Sequence, residues 1–465
     1  MDTFTFTREI PIESSYDIVV AGGGPAGAAA AICAGRLGAA VLLIEATGCM
    51  GGMGTSGLVT AFDPMANGER NLAGGFMREV VETLYQRGFL GPGVTPDYWQ
   101  KRYLTWTPFN VEGYKLVLDE LASAAGVSIR YFTRLIDAHV DSTARRVDGV
   151  VLNNVDGHRY VRAKAFVDCT GDGILANLCG AENWEAGRDT PHIMPATLPS
   201  MFAGIDWERL DRHRRESGHE QAGVEVRKAI AEGHFTQPDP FLVGMAQVGN
   251  EVGYLNGGHL FNLNALRCSD LTAGVMFGRK IAQEYLSFYR KYIPGCEKME
   301  HVTTASLIGV RESRRVKGEY VLNIDDYMAR RQFGDQIGVF NKFVDIHPYD
   351  TSDEEMSRFL SEKDKTARLK PGECFGIPYG ILAPKGWTNL WVAGRCASSD
   401  VMVHGSIRVQ PAASMMGQAA GTAAVQSLRT GQPACDLNTE RLVETLRAAG
   451  AYLPQEATQA EMTRG

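Results

Sequence analysis

The alternation of apolar and polar positions is clearest between Asp17 and Glu45. Asp17-Ile-Val-Val-Ala21 is an unbroken apolar run of strand length, the pattern of a strand buried on both faces. Gly22-Gly-Gly24-Pro-Ala-Gly27 interrupts it, and small residues follow (Ala28 to Ala31, Ala34, Gly35). This stretch predicts a helix that opens near Pro25 and closes at Gly38. Ala40-Val-Leu-Leu-Ile44 is a second buried-strand run, ended by Glu45. Further along, Val111 to Gly126 predicts a helix and Val127–Phe132 a strand. Val147–Val155 and Arg159–Val167 predict hairpin strands, followed by a sharp turn at Asp168-Cys-Thr-Gly-Asp-Gly173. Between about 185 and 375 the rhythm changes to charged helices, aromatic loops and irregular stretches. From Cys374 the strand–glycine pattern returns: Leu390-Trp-Val-Ala-Gly394-Arg, then Gly417-Gln-Ala-Ala-Gly421 opening a small-residue helix. Neither an internal repeat nor a low-complexity tract is present, and the last ~15 residues read as poorly anchored.

The order strand, glycine turn, helix, strand, acid is the pattern of a dinucleotide-binding unit. Gly22 permits the tight turn, Gly24 lets backbone approach a pyrophosphate, and Gly27 lets helix pack on strand. The first helical amides and the helix dipole face the phosphates. Glu45 lies where a carboxylate accepts from ribose hydroxyls, which disfavours a 2′-phosphate and hence NADP.

Composition narrows the classes. At 465 residues, with 44% apolar and 22% charged residues, the chain is an ordinary globular protein with room for more than one lobe. A net charge of −7 without a long basic run argues against nucleic acid as a partner. No run approaches the ~20 apolar residues of a membrane span, and the polar start Met1-Asp-Thr-Phe-Thr-Phe-Thr-Arg-Glu lacks the apolar block of a signal peptide. Nine cysteines without a CxxC pair speak against a disulfide framework and for the cytoplasm. No cluster with metal-ligand spacing is present, so no metal is expected.

Four blocks carry a family resemblance: the first glycine unit with Glu45 and Gly51-Gly52; Asp168 to Gly173; Gly309-Val-Arg-Glu-Ser-Arg314 running to Gly318; and Ile377-Pro-Tyr379 through Gly394-Arg395, Gly405-Ser-Ile-Arg408 and Gly417 to Gly421. With these the chain resembles the FAD-dependent oxidoreductase family of the glutathione-reductase-type Rossmann flavoproteins, the group that includes xanthan-lyase-associated flavoproteins. The resemblance implies FAD as cofactor. The implied α/β fold is a glutathione-reductase-type FAD-binding Rossmann domain interrupted by an α+β substrate domain. The parts expected are 1–185 (FAD-binding, with a cap contribution from 60–110), 186–375 (substrate or cap domain), 376–435 (FAD-binding, second part) and 436–465 (C-terminal helix and tail). The resemblance also implies that Gly22, Gly24, Pro25 and Ala26 hold the pyrophosphate and that Glu45 and Ala46 meet the adenosine ribose. Gly51, Gly52, Met53 and Gly54 would pass the ribityl and flavin side, and Leu135 would flank adenine. Thr170, Gly171 and Asp172 would close over the nucleotide, and Gly394-Arg395 would line the ribityl chain. A helix starting near Gly417, with Met416, Gln418 and Ala419, would aim its positive end at the flavin N1–C2=O edge.

Taking a hydride from a C–H beside an O–H or N–H requires a base of near-neutral pKa, and histidine fits best. His404 lies between Gly394-Arg395 and Gly417; His347 lies beside Asp345, which could orient its ring. His259 is a weaker third candidate and reads more simply as a loop histidine. Arg311 and Arg408 could bind a carboxylate or an oxyanion. Arg311 has Glu312 and Glu319 as competing partners, and Arg314 and Arg315 read as structural ion pairs. Tyr379 could bring a hydroxyl near the ring or be a core tyrosine. Cys49 and Cys396 flank cofactor segments; either could be a flavin attachment point, but both read more simply as small buried residues. Tyr98, Trp99, Tyr103, Trp106 and Phe109 could wall a pocket or simply pack a lobe. The expected activity is hydride transfer from a small polar organic substrate to FAD, with reoxidation by O2, a quinone or another protein. A flavin-dependent monooxygenase is the alternative, although no WxWxIP motif is present. A non-catalytic FAD-binding sensor or scaffold is the alternative of another class. A second GxGxxG unit for NAD(P)H is absent, and assembly into a homo-oligomer is left open.

Overall fold

A computed structural model describes residues 2–218, 222–366 and 368–454. Most of the C-terminal tail expected to be poorly anchored thus lies outside the described residues. The centre is a five-stranded, fully parallel sheet in the order Leu390–Val392, Ala165–Asp168, Ile18–Ala21, Val41–Ile44, Ser128–Arg130. All residues of the two central strands, Ile18–Ala21 and Ala165–Asp168, are buried, as unbroken apolar runs require when both faces are covered. On one face lie the helices Pro25–Arg36, Gln410–Thr430 and Val111–Ala124. On the other lies a four-stranded sheet of Ile12–Glu13, Gly157–Arg162, Arg146–Asn154 and Arg134–Asp141, whose inner side chains (Val147, Val150, Leu152, Val161) pack with Val19, Leu42 and Phe166 of the parallel sheet.

Several expected elements move. The strand predicted over Val127–Phe132 stops at Arg130, because Phe132 takes a left-handed φ of 51°. The second predicted hairpin strand splits in two. Gly157–Arg162 stays in the hairpin, and Ala165–Asp168 crosses into the parallel sheet once Lys164 N and Ala165 N both donate to Asp17 O. The last long helix starts at Gln410 rather than near Gly417, with Val409 as its cap and proline in the first turn.

A second hydrophobic core is built from Ala196 to Ile308, with Leu58 and Val111. It joins the long helix Cys268–Tyr292 to an antiparallel sheet of Met245–Gln247, Gly253–Leu255, Ser200–Ala203 and Glu300–Thr304. The chain from Leu322 to Phe375, expected within the inserted unit, packs instead on the first core through Tyr327, Ile337, Phe340 and Phe375. The 60–110 stretch does the same through Phe62, Phe76, Val81, Trp99 and Phe109. Of the aromatic group, Trp99 and Phe109 are therefore core residues, whereas Trp106 is partly exposed and stacks on Tyr254.

Candidate active site

Four segments converge where the first strand ends. Gly22 turns with φ +92°, and a side chain there would lie 2.6 Å from Cys169 O, so the Asp168–Gly173 turn crosses directly over it. Gly27 has no room for a Cβ against Gly22 C and O. At Gly24, by contrast, an added Cβ would meet nothing within 4 Å. Around that open point, Gly52 approaches Gly24 Cα, Gly54 faces the Gln410 amide, and Gly394 faces the methyl groups of Ala26 and Ala413. Two helix N-termini, capped by Gly24 and Val409, meet here, and neither carries a side-chain cap bond. Their first amides are the unpaired donors that phosphate or carbonyl oxygens require.

The rim is acidic on one side. Glu45 accepts from Gly23 N and Thr47 N, both at 2.7 Å, through different oxygens. A carboxylate has about four lone-pair sites, so both oxygens can still accept from a ribose. Ala46 is exposed beside it, and Met53 folds back on Gly57. Leu135 pairs with Leu152 and packs into the core between the two sheets. In the second turn, buried Asp168 accepts from Thr170 N, Thr170 Oγ1 and Ala176 N. Asp172 pairs with Arg395 at 2.6 Å, and Ser313 donates to Asp172 and accepts from Arg395. Gly171 lies under the same guanidinium. An open glycine cradle, uncapped helix ends and an acid at the strand tip fit a dinucleotide with an adenine ribose.

Two expectations are corrected. Met416 to Ala419 are the seventh to tenth residues of their helix, beyond its first turn, so they cannot present its positive end; Gln410 to Ala413 do. Gly417 and Gly421 serve helix packing, because an added Cβ would strike the carbonyls of Ala26 and Ala30. Gln418 turns towards Phe76 N, from which it accepts. Tyr379 is a core residue: its hydroxyl donates to Ala434 O and accepts from Trp391 Nε1, which leaves it no catalytic duty.

The histidines converge next to this cradle. His404 sits in the short helix Val401–Ile407, buried, with Nε2 2.9 Å from Arg311 O. A carbonyl only accepts, so Nε2 carries the hydrogen and Nδ1 of the neutral ring is the acceptor. His347 and His259 face one another, His259 Nε2 to His347 Nδ1 at 2.9 Å. His259 is fully buried in a strand pair with Thr197 rather than in a loop, and its Nδ1 lies 2.9 Å from Asp239. His347 Nε2 lies 3.5 Å from Asp345. Asp345 in turn accepts from Arg408 at 3.1 Å. Arg311 is 5% exposed, donates to Pro195 O and forms no ion pair among the described residues. Its expected partners are engaged elsewhere: Glu312 with Arg315, and Glu319 with Gly386 N.

Burial sets the charge states. It holds His404 and His347 well below the ordinary imidazole range, reinforced by Arg315 and Arg311 respectively. His259 is lowered by burial and held up in part by Asp239. Burial opposes the charge on Asp345, but His347, Lys342 and Arg408 hold its carboxyl well below the usual range. Arg311 is pushed down to about 9 by burial and by Arg408 and stays cationic at neutral pH. Nothing in the sequence signals Asp239, which lies 20 residues from His259, or the buried pair Lys342–Asp63, whose partners lie 279 residues apart. Among the described residues no group of histidine, cysteine or acidic side chains could hold a metal ion, and no helix is long and apolar enough to cross a membrane.

A family model described as FAD dependent oxidoreductase matches residues 17–446. No curated protein matches the chain significantly. Among solved structures, it is similar to a geranylgeranyl bacteriochlorophyll reductase-like protein from Thermoplasma acidophilum (12% identity, covering 95% of this chain and 85% of that one, TM-score 0.46). It is also similar to a flavin-dependent brominase (12%, 94% and 83%, 0.45). A third is a p-nitrophenol 4-monooxygenase from Pseudomonas putida (10%, 97% and 92%, 0.44).

Proposed function

Given that the chain belongs to the FAD-dependent oxidoreductases, we propose that it oxidises a small polar organic molecule by transfer of a hydride to FAD. FAD, when bound, supplies the two-electron acceptor. The observation that carries this reading is the adjacency of the buried His–Arg cluster to the cradle. Arg408 stands two residues before Gln410, whose amide reaches Val59 O and Ala61 O beside Gly54. A polar substrate oxygen would be oriented by Arg311 and Arg408, whose guanidinium forks suit a carboxylate or a developing oxyanion. Neutral His404 and His347 would each offer an unprotonated nitrogen as base. Burial of the cluster excludes water from the reacting atoms.

Within this reading the fold is of the glutathione-reductase type, with the second core over 196–308 as the substrate lobe. All nine cysteines are free, which favours a reducing compartment such as the cytoplasm. The test is anaerobic mixing of the FAD-loaded protein with hydroxy acids, sugars, polyols and amines, followed by flavin absorbance. Bleaching by one class supports the reading. Bleaching by NADPH alone would overturn it.

A further inference from the structure

The buried row Asp239, His259, His347, Asp345 joins the two lobes. Asp239 and His259 come from the chain of the second core, and Asp345 and His347 from the segment packed along the helix Val401–Ile407, where Gly405 leaves no space beyond contact with the Asp345 backbone. The links measure 2.9, 2.9 and 3.5 Å. We propose that this row is the acceptor of the proton released by substrate oxidation, and that the proton enters at Nε2 of His347. The proposal rests on the hydride-transfer reading.

Both ends of the row are carboxylates, which only accept when ionised. Three links therefore need three hydrogens, and two neutral imidazoles supply two. One link must be empty. Starting from Asp239, whose oxygen forces the hydrogen onto His259 Nδ1, His259 Nε2 must accept, so His347 donates from Nδ1. The lone pair of His347 Nε2 is left facing Asp345, and that link is the longest, at 3.5 Å, beyond a normal hydrogen bond. An entering proton fills it. The substrate O–H or N–H bond breaks, a new N–H bond forms at His347 Nε2, and the hydride leaves separately with its electron pair to FAD. The imidazolium then donates on both sides, to Asp345 and to His259, and a shift along His347 Nδ1 to His259 Nε2 shares the charge over both rings.

The charged groups around the pair are Arg311, Lys342 and Arg408 on one side and Asp239 and Asp345 on the other. The cations keep the resting rings neutral, and the ionised carboxylates accept hydrogen bonds from the pair once it is protonated. On the cradle side, His404 is set in the opposite tautomer by Arg311 O and provides an internal contrast. His347 would be the catalytic residue, and His259 and Asp239 positioning residues.

The test reads protons directly, by 15N NMR of the FAD-loaded protein labelled at histidine. At pH 8 we expect His259 and His347 both as Nδ1–H tautomers and His404 as Nε2–H. On acidification the pair should gain one proton in a single step seen at both rings. His347 found as Nε2–H at pH 8, or two separate titrations, would overturn the proposal. The variant Asp345→Asn sharpens it. Arg408 donates to this side chain, so the amide oxygen must stay there and the NH2 must turn to His347 Nε2, offering a hydrogen that cannot be transferred. Its pair should then stay neutral through the wild-type step. With the compound found by the anaerobic screen, flavin reduction should fall by about 100-fold, the usual worth of a general base. In the wild type the rate should drop as pH falls through the same step. Wild-type rates in Asp345→Asn would sink the idea. Should that variant not fold, the wild-type tautomers decide. They are read without substrate, so their failure is distinct from failure of the screen.

Discussion

Gly417→Ala separates helix packing from cofactor contact. In a helix interior alanine is favoured over glycine by about 1 kcal/mol, so on an open face the change would stabilise. Here the added Cβ would lie 2.7 Å from Ala26 C and 2.8 Å from Ala26 Cα, and nearer still to the carbonyl oxygen. Carbon contacts settle near 3.5 to 4.0 Å, so the helices must part by about 1 Å. Overpacking of this kind costs about 1–3 kcal/mol, and here the obstacle is backbone that cannot rotate away, so the upper end applies. After the helix gain, a net loss of about 1–2 kcal/mol remains. Ala26 also borders the cradle through Gly394, so its displacement should release FAD. Gly421→Ala supplies the control: its Cβ would meet Ala30, one turn further from the cradle, at a comparable 2.9 Å from Ala30 C. Both variants should lower the urea midpoint by similar amounts. Only Gly417→Ala should lose most of its FAD on dialysis, read from the flavin absorbance ratio. Unchanged stability in Gly417→Ala would refute the packing argument; equal FAD loss in both would refute the route through Ala26.

Acid should destabilise the fold earlier than its carboxylates require. His259, His347 and His404 are held below their ordinary value when folded, whereas the unfolded chain binds their protons near pH 6.5. Their stabilisation is complete above that pH and is lost as pH falls towards the lower folded values, at up to about 1.4 kcal/mol per unit for each ring. Urea unfolding at pH 7.5, 6.5 and 5.5 checks this, and a flat profile would mean that the rings are not buried neutral. Glu45→Ala removes the acceptor of Gly23 N and Thr47 N and should cost about 1–2 kcal/mol together with weaker FAD retention; full occupancy after dialysis would count against its ribose role. His404→Ala should keep FAD bound and slow flavin reduction by the active compound, and an unchanged rate would remove His404 from the chemistry.

The cradle was legible in the sequence because its constraints are steric and local. Gly22 and Gly27 are needed wherever a strand turns into a helix beneath a crossing chain, and unbroken apolar runs at Ile18–Ala21 and Val41–Ile44 follow from burial on both faces. The same logic misled at Gly417. A glycine spaced four residues from Gly421 marks close helix contact, and a helix begins where a cap and a proline allow it, at Val409 to Pro411. Hairpin pattern misled at Arg159–Val167, because period-two alternation cannot tell one long strand from two strands serving different sheets. The polar cluster was legible only in part. His404, His347, Arg311 and Arg408 were named, and Asp345 was visible two residues from His347. Asp239 was not, since it lies 20 residues from His259, and what joins them is the fold of the second lobe. The error over Tyr379 has the same root. Its neighbour Pro378 is local, but the groups that engage its hydroxyl, Ala434 and Trp391, arrive from elsewhere in the chain. Roles set by shape at one point of the chain can be read from residues; roles set by which proton donor meets which acceptor wait for the packing that brings them together.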